Sequence, residues 1–164
     1  MSDSYIFDEL EFFTVGTLGP PGERTFFLQG RGDGTTVSLK LEKQQVATLA
    51  DYLEQVLADL AERPIGPLPK DLTLREPVVP VWTVGAMGVA YDPDDDRLII
   101  IAEEMGDDSA EPLQTAQARF SLGRSQVVGL IDRIRDVVAG GRKPCPLCGS
   151  PLQPRNDGWC ACSN

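Results

Sequence analysis

The chain of 164 residues contains no histidine, and its first 144 residues contain no cysteine. Without an imidazole it has no histidine general base, no Ser-His-Asp arrangement and no three-histidine metal site. Carboxylate chemistry stays open, but no pair among the 25 acidic residues stands out in the sequence. The sequence therefore indicates no catalytic residue and no cofactor-binding residue besides metal ligands. It argues against an enzyme without deciding the question.

Long apolar runs and a secretory leader are also missing. The longest purely apolar run, residues 98–102, has the length of a strand and is too short to cross a bilayer. Residues 1–4 are polar and lack the basic and apolar regions of a signal peptide. We expect a soluble cytoplasmic protein with no membrane contact, in a compartment that keeps thiols reduced.

Positive charge is scarce and unevenly placed. The chain has 15 basic and 25 acidic residues, for a net charge of −10. Residues 142–164 carry +2, so the preceding 141 residues carry −12. An acidic body repels phosphate groups, which disfavours nucleic acid and anionic membranes as partners.

All four cysteines lie in the last twenty residues, as one Cys-x-x-Cys and one Cys-x-Cys pair: Cys145, Cys148, Cys160 and Cys162. Two such pairs, separated by eleven residues, predict a four-thiolate zinc site rather than free thiols or disulfides. Four thiolates complete the tetrahedron and leave no position for water or substrate, so the predicted Zn is structural. We expect residues 142–164 to form a small zinc knuckle or ribbon attached to a body of residues 1–141.

The body contains one sequence pattern twice. Residues 13–19 (FTVGTLG) match residues 82–88 (WTVGAMG) at an offset of 69, and residues 41–46 match residues 122–127 at an offset of 81. Chance similarity between two generic strand–helix segments is the alternative explanation. The matches include glycines and a glutamine that burial does not require, and they favour an internal duplication.

Each repeat is predicted to form three strands followed by one amphipathic helix. In repeat 1, about residues 10–63, we expect strands over 10–18, 24–31 and 35–41 and a helix over 42–62, stopped by Pro64. In repeat 2, about residues 80–141, we expect strands over 80–91, 97–105 and 115–122 and a helix over 123–139. The proline-rich residues 64–70 predict an extended connector. Since neither unit closes a core alone, the predicted fold is α+β, with two internally duplicated β-β-β-α units forming one pseudo-twofold body.

Two loops have compositions similar to a calcium-binding loop and a phosphate-binding loop, but their residues do not favour either function. The acidic residues 92–96 are predicted to be a hairpin turn, because Arg97 stands where a calcium loop needs glycine. The glycine-rich residues 16–22 lack the Lys-Ser/Thr ending of a phosphate loop and predict another hairpin. Glu23 and Arg24, beside that hairpin, are the best polar candidates for a ligand or partner contact, with solvated turn charges as the alternative.

Four motifs resemble an uncharacterised, mainly actinobacterial family, the domain-of-unknown-function family 3090: residues 16–29 (GTLGPPGERTFFLQ), 42–46 (EKQQV), 82–85 (WTVG) and 145–152 (CPLCGSPL). The resemblance spans nearly the whole chain and implies a context without an activity. Members tend to be encoded beside a phosphoglycerate-mutase-like phosphatase and a kinase-like protein. They usually close the cysteine motif with His-x-Cys-Pro-Arg and a basic tail, whereas here Cys160 stands at the histidine position.

Two hypotheses of different classes follow. The first is a non-catalytic zinc-binding adapter with an unidentified protein partner. The alternative is a phosphometabolite-binding protein or enzyme that uses the cleft between the repeats. A packed repeat interface would favour the adapter, and a pocket there lined by Glu23, Arg24 or Arg97 would favour the ligand. The sequence leaves the oligomeric state open.

Overall fold

The computed structural model describes residues 2–20, 22–106 and 115–140. These residues form seven strands and two helices: β1 (Tyr5–Phe7), β2 (Phe12–Leu18), β3 (Thr25–Gly32), β4 (Thr35–Leu41), α1 (Lys43–Asp59), β5 (Pro80–Asp92), β6 (Arg97–Glu104), β7 (Gln117–Leu122) and α2 (Arg124–Val138). Neither helix combines the length and hydropathy that crossing a membrane requires.

Three antiparallel strands followed by a helix occur twice, as β2-β3-β4-α1 and β5-β6-β7-α2. The predicted α+β class and the order of these elements are confirmed. Two details of the prediction were wrong. Strand β1 was missed because three residues are too few to show an alternating pattern. Helix α1 ends at Asp59, ahead of the proposed stop at Pro64, because Leu60 already has an extended backbone.

The seven strands form one mixed sheet in the order β1-β7-β6-β5-β4-β3-β2. The two units therefore share a sheet edge to edge, joined where β4 and β5 run parallel. This parallel pairing covers residues 38–40 of β4 and residues 80–83 of β5 only, whereas β5 continues to Asp92. Most of β5 thus extends beyond its neighbour β4.

The sheet curls until its two edge strands, β1 and β2, lie end to end. Only residues 8–11 separate these strands in the chain. The ring of Phe120 in β7 stacks on Phe7 in β1, with centroids 5.5 Å apart, and tilts against Phe13 in β2 at 4.9 Å. A Cβ atom at Gly30 would lie 2.9 Å from that ring, so close packing across the curl requires glycine there.

Strands β1 and β2 together make the same kinds of strand pairing in the second half of the sheet's circuit that β5 makes by itself in the first. β1 pairs parallel with β7, as the start of β5 pairs parallel with β4. β2 then pairs antiparallel with β3, as the rest of β5 pairs with β6. Each helix packs against the first strand of the other unit, α1 on β5 and α2 on β2, and the helices also touch each other.

One hydrophobic core joins the concave face of the sheet to both helices. From the helices it includes Val46, Leu49, Ala50, Leu53, Val127, Leu130, Ile131, Ile134 and Val137. A β-bulge at Gly85 shifts the register of β5 by one residue. Because of this shift, Trp82 and Val84 before the bulge and Met87 and Val89 after it all pack against the core.

The predicted connector, residues 64–70, forms neither helix nor strand, and the chain continues in the same way to residue 79. We call residues 64–79 the connector, and its residues 72–75 cross the convex face of β2 and β3. The buried amide of Gln29 holds it: Nε2 donates to the Arg75 carbonyl at 2.9 Å and to Ser38 Oγ at 3.0 Å, while Oε1 accepts the Arg75 N–H at 2.7 Å. The Thr14 hydroxyl donates to the Leu72 carbonyl at 2.5 Å. These bonds replace the strand pairing that the connector lacks.

Candidate binding groove

One glutamine near the start of each helix fixes that helix beside a strand of the other unit. Gln45 and Gln126 are each the third residue of their helix. Each Oε1 accepts the N–H of the residue before the helix, at 2.7 and 2.9 Å. Each Nε2 then donates to a main-chain carbonyl of the other unit, that of Gly85 or that of Leu10, both at 2.9 Å. Two similar helix–strand grooves result, one between α1 and β5 and one between α2 and β2.

The α2–β2 groove is filled by the connector. Pro69 lies against Gly129 of α2, where an added Cβ atom would come within 2.9 Å of the proline ring. Leu74 lies against Gly16 of β2, where an added Cβ atom would come within 2.5 Å of the leucine side chain. Both glycines therefore make room for the connector's side chains.

The α1–β5 groove is open, and its cavity has a volume of about 380 Å³. Its walls include Gln45, Thr48, Leu49 and Tyr52 of α1 and Met87 and Val89 of β5. The Tyr52 side chain is 48% exposed, which is high for a tyrosine on the wall of a cavity. Among the described residues, Glu42 is the one that lines this groove with a charged side chain.

Main-chain groups of β5 border the same groove. Beyond Thr83, β4 no longer pairs with β5. Along this edge of β5, the hydrogen bonds from the described part of the chain are those that Gln45 Nε2 donates to the carbonyls of Val84 and Gly85. Strand edges of this kind are where extended peptides add to sheets.

The basic residues considered from the sequence lie elsewhere. Arg24 lines a concavity of about 420 Å³ with Lys40 and Lys43, within the first unit. Arg97 lines a groove of about 440 Å³ with Arg119 on the convex face of the second unit, alongside four carboxylates: Asp8, Glu9, Asp92 and Asp95. Neither cavity is the α1–β5 groove, and Glu23 lines neither of them. Arg24 does contact the second unit, because its Nη1 donates to the Val137 carbonyl at the end of α2, at 3.5 Å.

The predicted acidic turn after β5 is confirmed, and it carries an ion pair. Asp96 accepts hydrogen bonds from the Arg124 guanidinium at 2.8–3.1 Å and from the Tyr91 hydroxyl at 2.6 Å. Hydrogen bonds from Arg124 and then from Tyr91 lower the pKa of Asp96 to about 2. Arg124 also donates to the Ala61 carbonyl at 2.8 Å, so the cluster ties the end of α1 to the start of α2.

Asp96→Asn should therefore remove a stabilising interaction that depends on pH. The folded-state pKa lies below the ordinary value of 3.8, so ionised Asp96 stabilises the fold above pH 4 and this contribution is lost as pH falls towards 2. Asparagine tolerates the positive φ of 52° at this position, which leaves the turn intact. Urea unfolding at pH 6 and pH 3 should show a stability difference between wild type and variant that shrinks at the lower pH. A difference that stays constant, or one matched by Asp94→Asn in the same turn, would contradict this role.

The four predicted zinc ligands, Cys145, Cys148, Cys160 and Cys162, lie outside the described residues. Within the described ranges, no group of three or more Asp, Glu or Cys side chains is placed to hold a metal ion.

The described residues form an α+β domain with one curled mixed sheet, and each helix lies beside a strand of that sheet. The chain belongs to the family described as "Protein of unknown function (DUF3090)", whose model matches residues 5–160. This confirms the family that the sequence motifs resemble. No curated protein and no solved structure matches the chain. The functional argument therefore rests on the geometry of the groove.

Proposed function

We propose that this protein is a non-catalytic adapter that binds a partner protein through the α1–β5 groove and carries a structural zinc ion in residues 142–164. One observation carries the proposal: an open groove lies along a strand edge that has lost its neighbour beyond Thr83. Such an edge offers main-chain donors and acceptors, and the adjoining walls offer apolar and neutral polar side chains. This combination suits a polypeptide segment.

The composition of the groove also separates the adapter from the alternative function. A phosphorylated metabolite would need arginine, lysine or a helix N-terminus directed at its phosphate. Within the described part of the chain, no lysine or arginine lines this groove, and Glu42, the N-cap of α1, would repel an anion at the helix N-terminus. A phosphometabolite in this cleft is therefore disfavoured.

The concavity lined by Arg24, Lys40 and Lys43 supports a second candidate function, the binding of an anionic ligand within the first unit. Glu42 also lines this concavity, so its lining carries three cations and one carboxylate in a body that carries −12. Titration calorimetry with inorganic pyrophosphate would test it. Binding that Lys40→Ala weakens would support this candidate, and heats equal to dilution would exclude it.

The proposal includes an internal duplication of the β-β-β-α unit. Support comes from Gln45 and Gln126, which match in sequence and make the same pair of contacts in the two units. Further support comes from the glycines Gly16 and Gly85, which match in sequence and lie in strands that occupy corresponding places around the sheet. If β1 and β2 are counted as one interrupted strand, a pseudo-twofold rotation relates the two units of the curled sheet.

Metal analysis of the purified full chain should find about one zinc per chain, since one four-thiolate set fills one tetrahedral site. The double variant Cys145→Ser/Cys148→Ser should lose the metal and retain the unfolding transition of the body. Structural zinc sites bind with on the order of 10–16 kcal/mol, so metal removal should sharply increase proteolysis within residues 142–164. Unchanged proteolysis after chelation would contradict a structural zinc.

Photo-crosslinking in cells tests the adapter function. A photoreactive phenylalanine derivative at Tyr52 replaces one exposed aromatic side chain with another on the groove wall. The same group at Gln55 is an exposed control on α1 outside the groove. We expect protein adducts from position 52 and few from position 55. Equal adducts from both positions, or none from either, would refute binding at the groove.

A further inference from the structure

The concavity beside the start of α1 is lined by three cations, Arg24, Lys40 and Lys43, and we call it the basic concavity. We infer that it binds the zinc-binding tail of the same chain, residues 142–164, with the zinc–thiolate centre facing these cations. The inference rests on the structural zinc of the proposed function and adds the place on the body where the tail is held. It competes with the second candidate function, which gives the same concavity to an anionic ligand.

The end of the body that carries the basic concavity is also the end at which α2 finishes. The two helices run in opposite directions, since Arg124 at the start of α2 donates to the Ala61 carbonyl just after α1. The end of α2, at Val138, therefore lies at the end of the body where α1 starts. Lys43 is the first residue of α1 and lines the concavity. The chain thus leaves α2 beside the basic concavity.

Arg24 connects the concavity to the last described residue. Its Nη1 donates to the Val137 carbonyl at 3.5 Å, and a Cβ atom added at Gly140 would lie 2.6 Å from its Nη2. Residues 141–144 are all that separates Gly140 from Cys145, the first predicted zinc ligand. Because each residue advances the chain by at most about 3.6 Å, Cys145 lies within about 18 Å of Gly140. The predicted metal site is therefore within reach of the basic concavity along any path of the chain.

Charge complementarity favours the zinc site as the occupant. Four thiolates around one Zn²⁺ leave a formal charge of about −2 on the centre. Cations and hydrogen-bond donors around such a centre stabilise its thiolates and strengthen metal binding. The basic concavity offers three cations against one carboxylate, Glu42, whereas the groove lined by Arg97 and Arg119 has four carboxylates. The zinc–thiolate centre is therefore attracted to the first surface and repelled by the second.

The short tether to α2 makes a weak attraction sufficient. Residues 142–164 contain Arg142, Lys143 and Arg155 against Asp157, so the tail with its zinc–thiolate centre has a net charge of about zero. Such a tail has little long-range attraction to the body, and its contact with the basic concavity is local to the metal site. A short linker raises the effective concentration of the tail at the concavity to the order of millimolar.

Acylation of lysine amines in the full-length protein, followed by mass spectrometry, tests the contact. Lys40 and Lys43 are both exposed among the described residues, so protection of their amines reports on an occupant. We expect both amines to be protected in zinc-loaded wild type and to lose this protection in Cys145→Ser/Cys148→Ser. Lys70, exposed in the connector, is the control and should react equally in the two proteins.

Reversal of charge in the concavity tests its attraction for the metal site. Lys40→Glu/Lys43→Glu should weaken zinc affinity about tenfold at low salt, the effect of this charge change at roughly 10 Å from the centre in water, and the weakening should shrink at high salt. Competition with a chelator of known zinc affinity measures it. Arg31→Glu/Lys70→Glu makes the same change of charge at exposed positions outside the concavity and should bind zinc as wild type does. Thermal unfolding of both variants shows that each is folded.

Equal acylation of Lys40 and Lys43 with and without the zinc ligands would overturn the inference, as would equal weakening of zinc affinity in Arg31→Glu/Lys70→Glu. Protection that disappears on dilution would assign the concavity to a second copy of the chain, and protection that requires added pyrophosphate would assign it to an anionic ligand. Either result also overturns the inference. If the chain holds zinc but the two lysines are unprotected, the structural zinc stands and this inference fails. If the chain holds no zinc and they are unprotected, both fail.

Discussion

Phe120→Ala is expected to lower the free energy of unfolding by about 3–5 kcal/mol, the range for a fully buried phenylalanine whose removal leaves a cavity. Phe120 is completely buried and contacts rings from both edge strands, Phe7 at 5.5 Å and Phe13 at 4.9 Å. Its loss should therefore weaken the closure between β1, β7 and β2 as well as the local core. Urea denaturation monitored by tryptophan fluorescence measures the change.

Ile6→Ala is the matched control, because Ile6 lies in β1 next to Phe7 and is 68% exposed. We expect it to change stability by less than about 0.5 kcal/mol. If Phe120→Ala cost no more than Ile6→Ala, the two edges of the sheet would not meet as described.

Gln29→Leu is expected to cost about 2–4 kcal/mol and to release the connector. The substitution keeps the size of the side chain but leaves the buried Ser38 hydroxyl and the partly buried N–H and carbonyl of Arg75 without their partner. A fully buried group left unpaired costs about 1–3 kcal/mol, and a partly buried one costs less because water can reach it. Denaturation gives the stability loss. Hydrogen exchange, followed by mass spectrometry, should show faster exchange in residues 69–79.

Gln55→Leu serves as the control for this second change, since it makes the same substitution at an exposed position of α1. It should leave both stability and connector exchange near those of wild type. Unchanged exchange over residues 69–79 in Gln29→Leu would contradict the role of Gln29 in holding the connector.

Most strands and both helices could be predicted from sequence because each has its own periodic signal. The helices bury one apolar stripe, and the strands of each unit are separated by glycine or acidic turns. Strand β1 and the curl of the sheet carry no such signal, because they depend on contacts between Phe120 and residues more than a hundred positions earlier. The bulge at Gly85 also hides the alternation of β5 by reversing it midway.

The groove could not be predicted from the sequence for a related reason. It exists because β5 continues past the end of β4 and because the connector enters the other groove instead. The sequence contains one hint of a difference between the two grooves. Thr48 aligns with Gly129 and Tyr52 aligns with Arg133 in the repeat, and these aligned residues differ in size or charge. Arg24 and Arg97 are charged residues beside turns in the sequence, and the cavities that they line are separate from the α1–β5 groove. The zinc prediction depends on spacing alone and concerns residues outside the described ranges.

The central claim is that partner recognition resides in the α1–β5 groove and that the zinc-binding tail is structural. Affinity capture from cell extract, comparing wild type, Thr48→Trp and Cys145→Ser/Cys148→Ser, tests it most directly. We predict that the partner recovered with wild type is lost with Thr48→Trp and retained with the double cysteine variant. Retention with Thr48→Trp together with loss in the cysteine variant would contradict the claim and assign recognition to the tail.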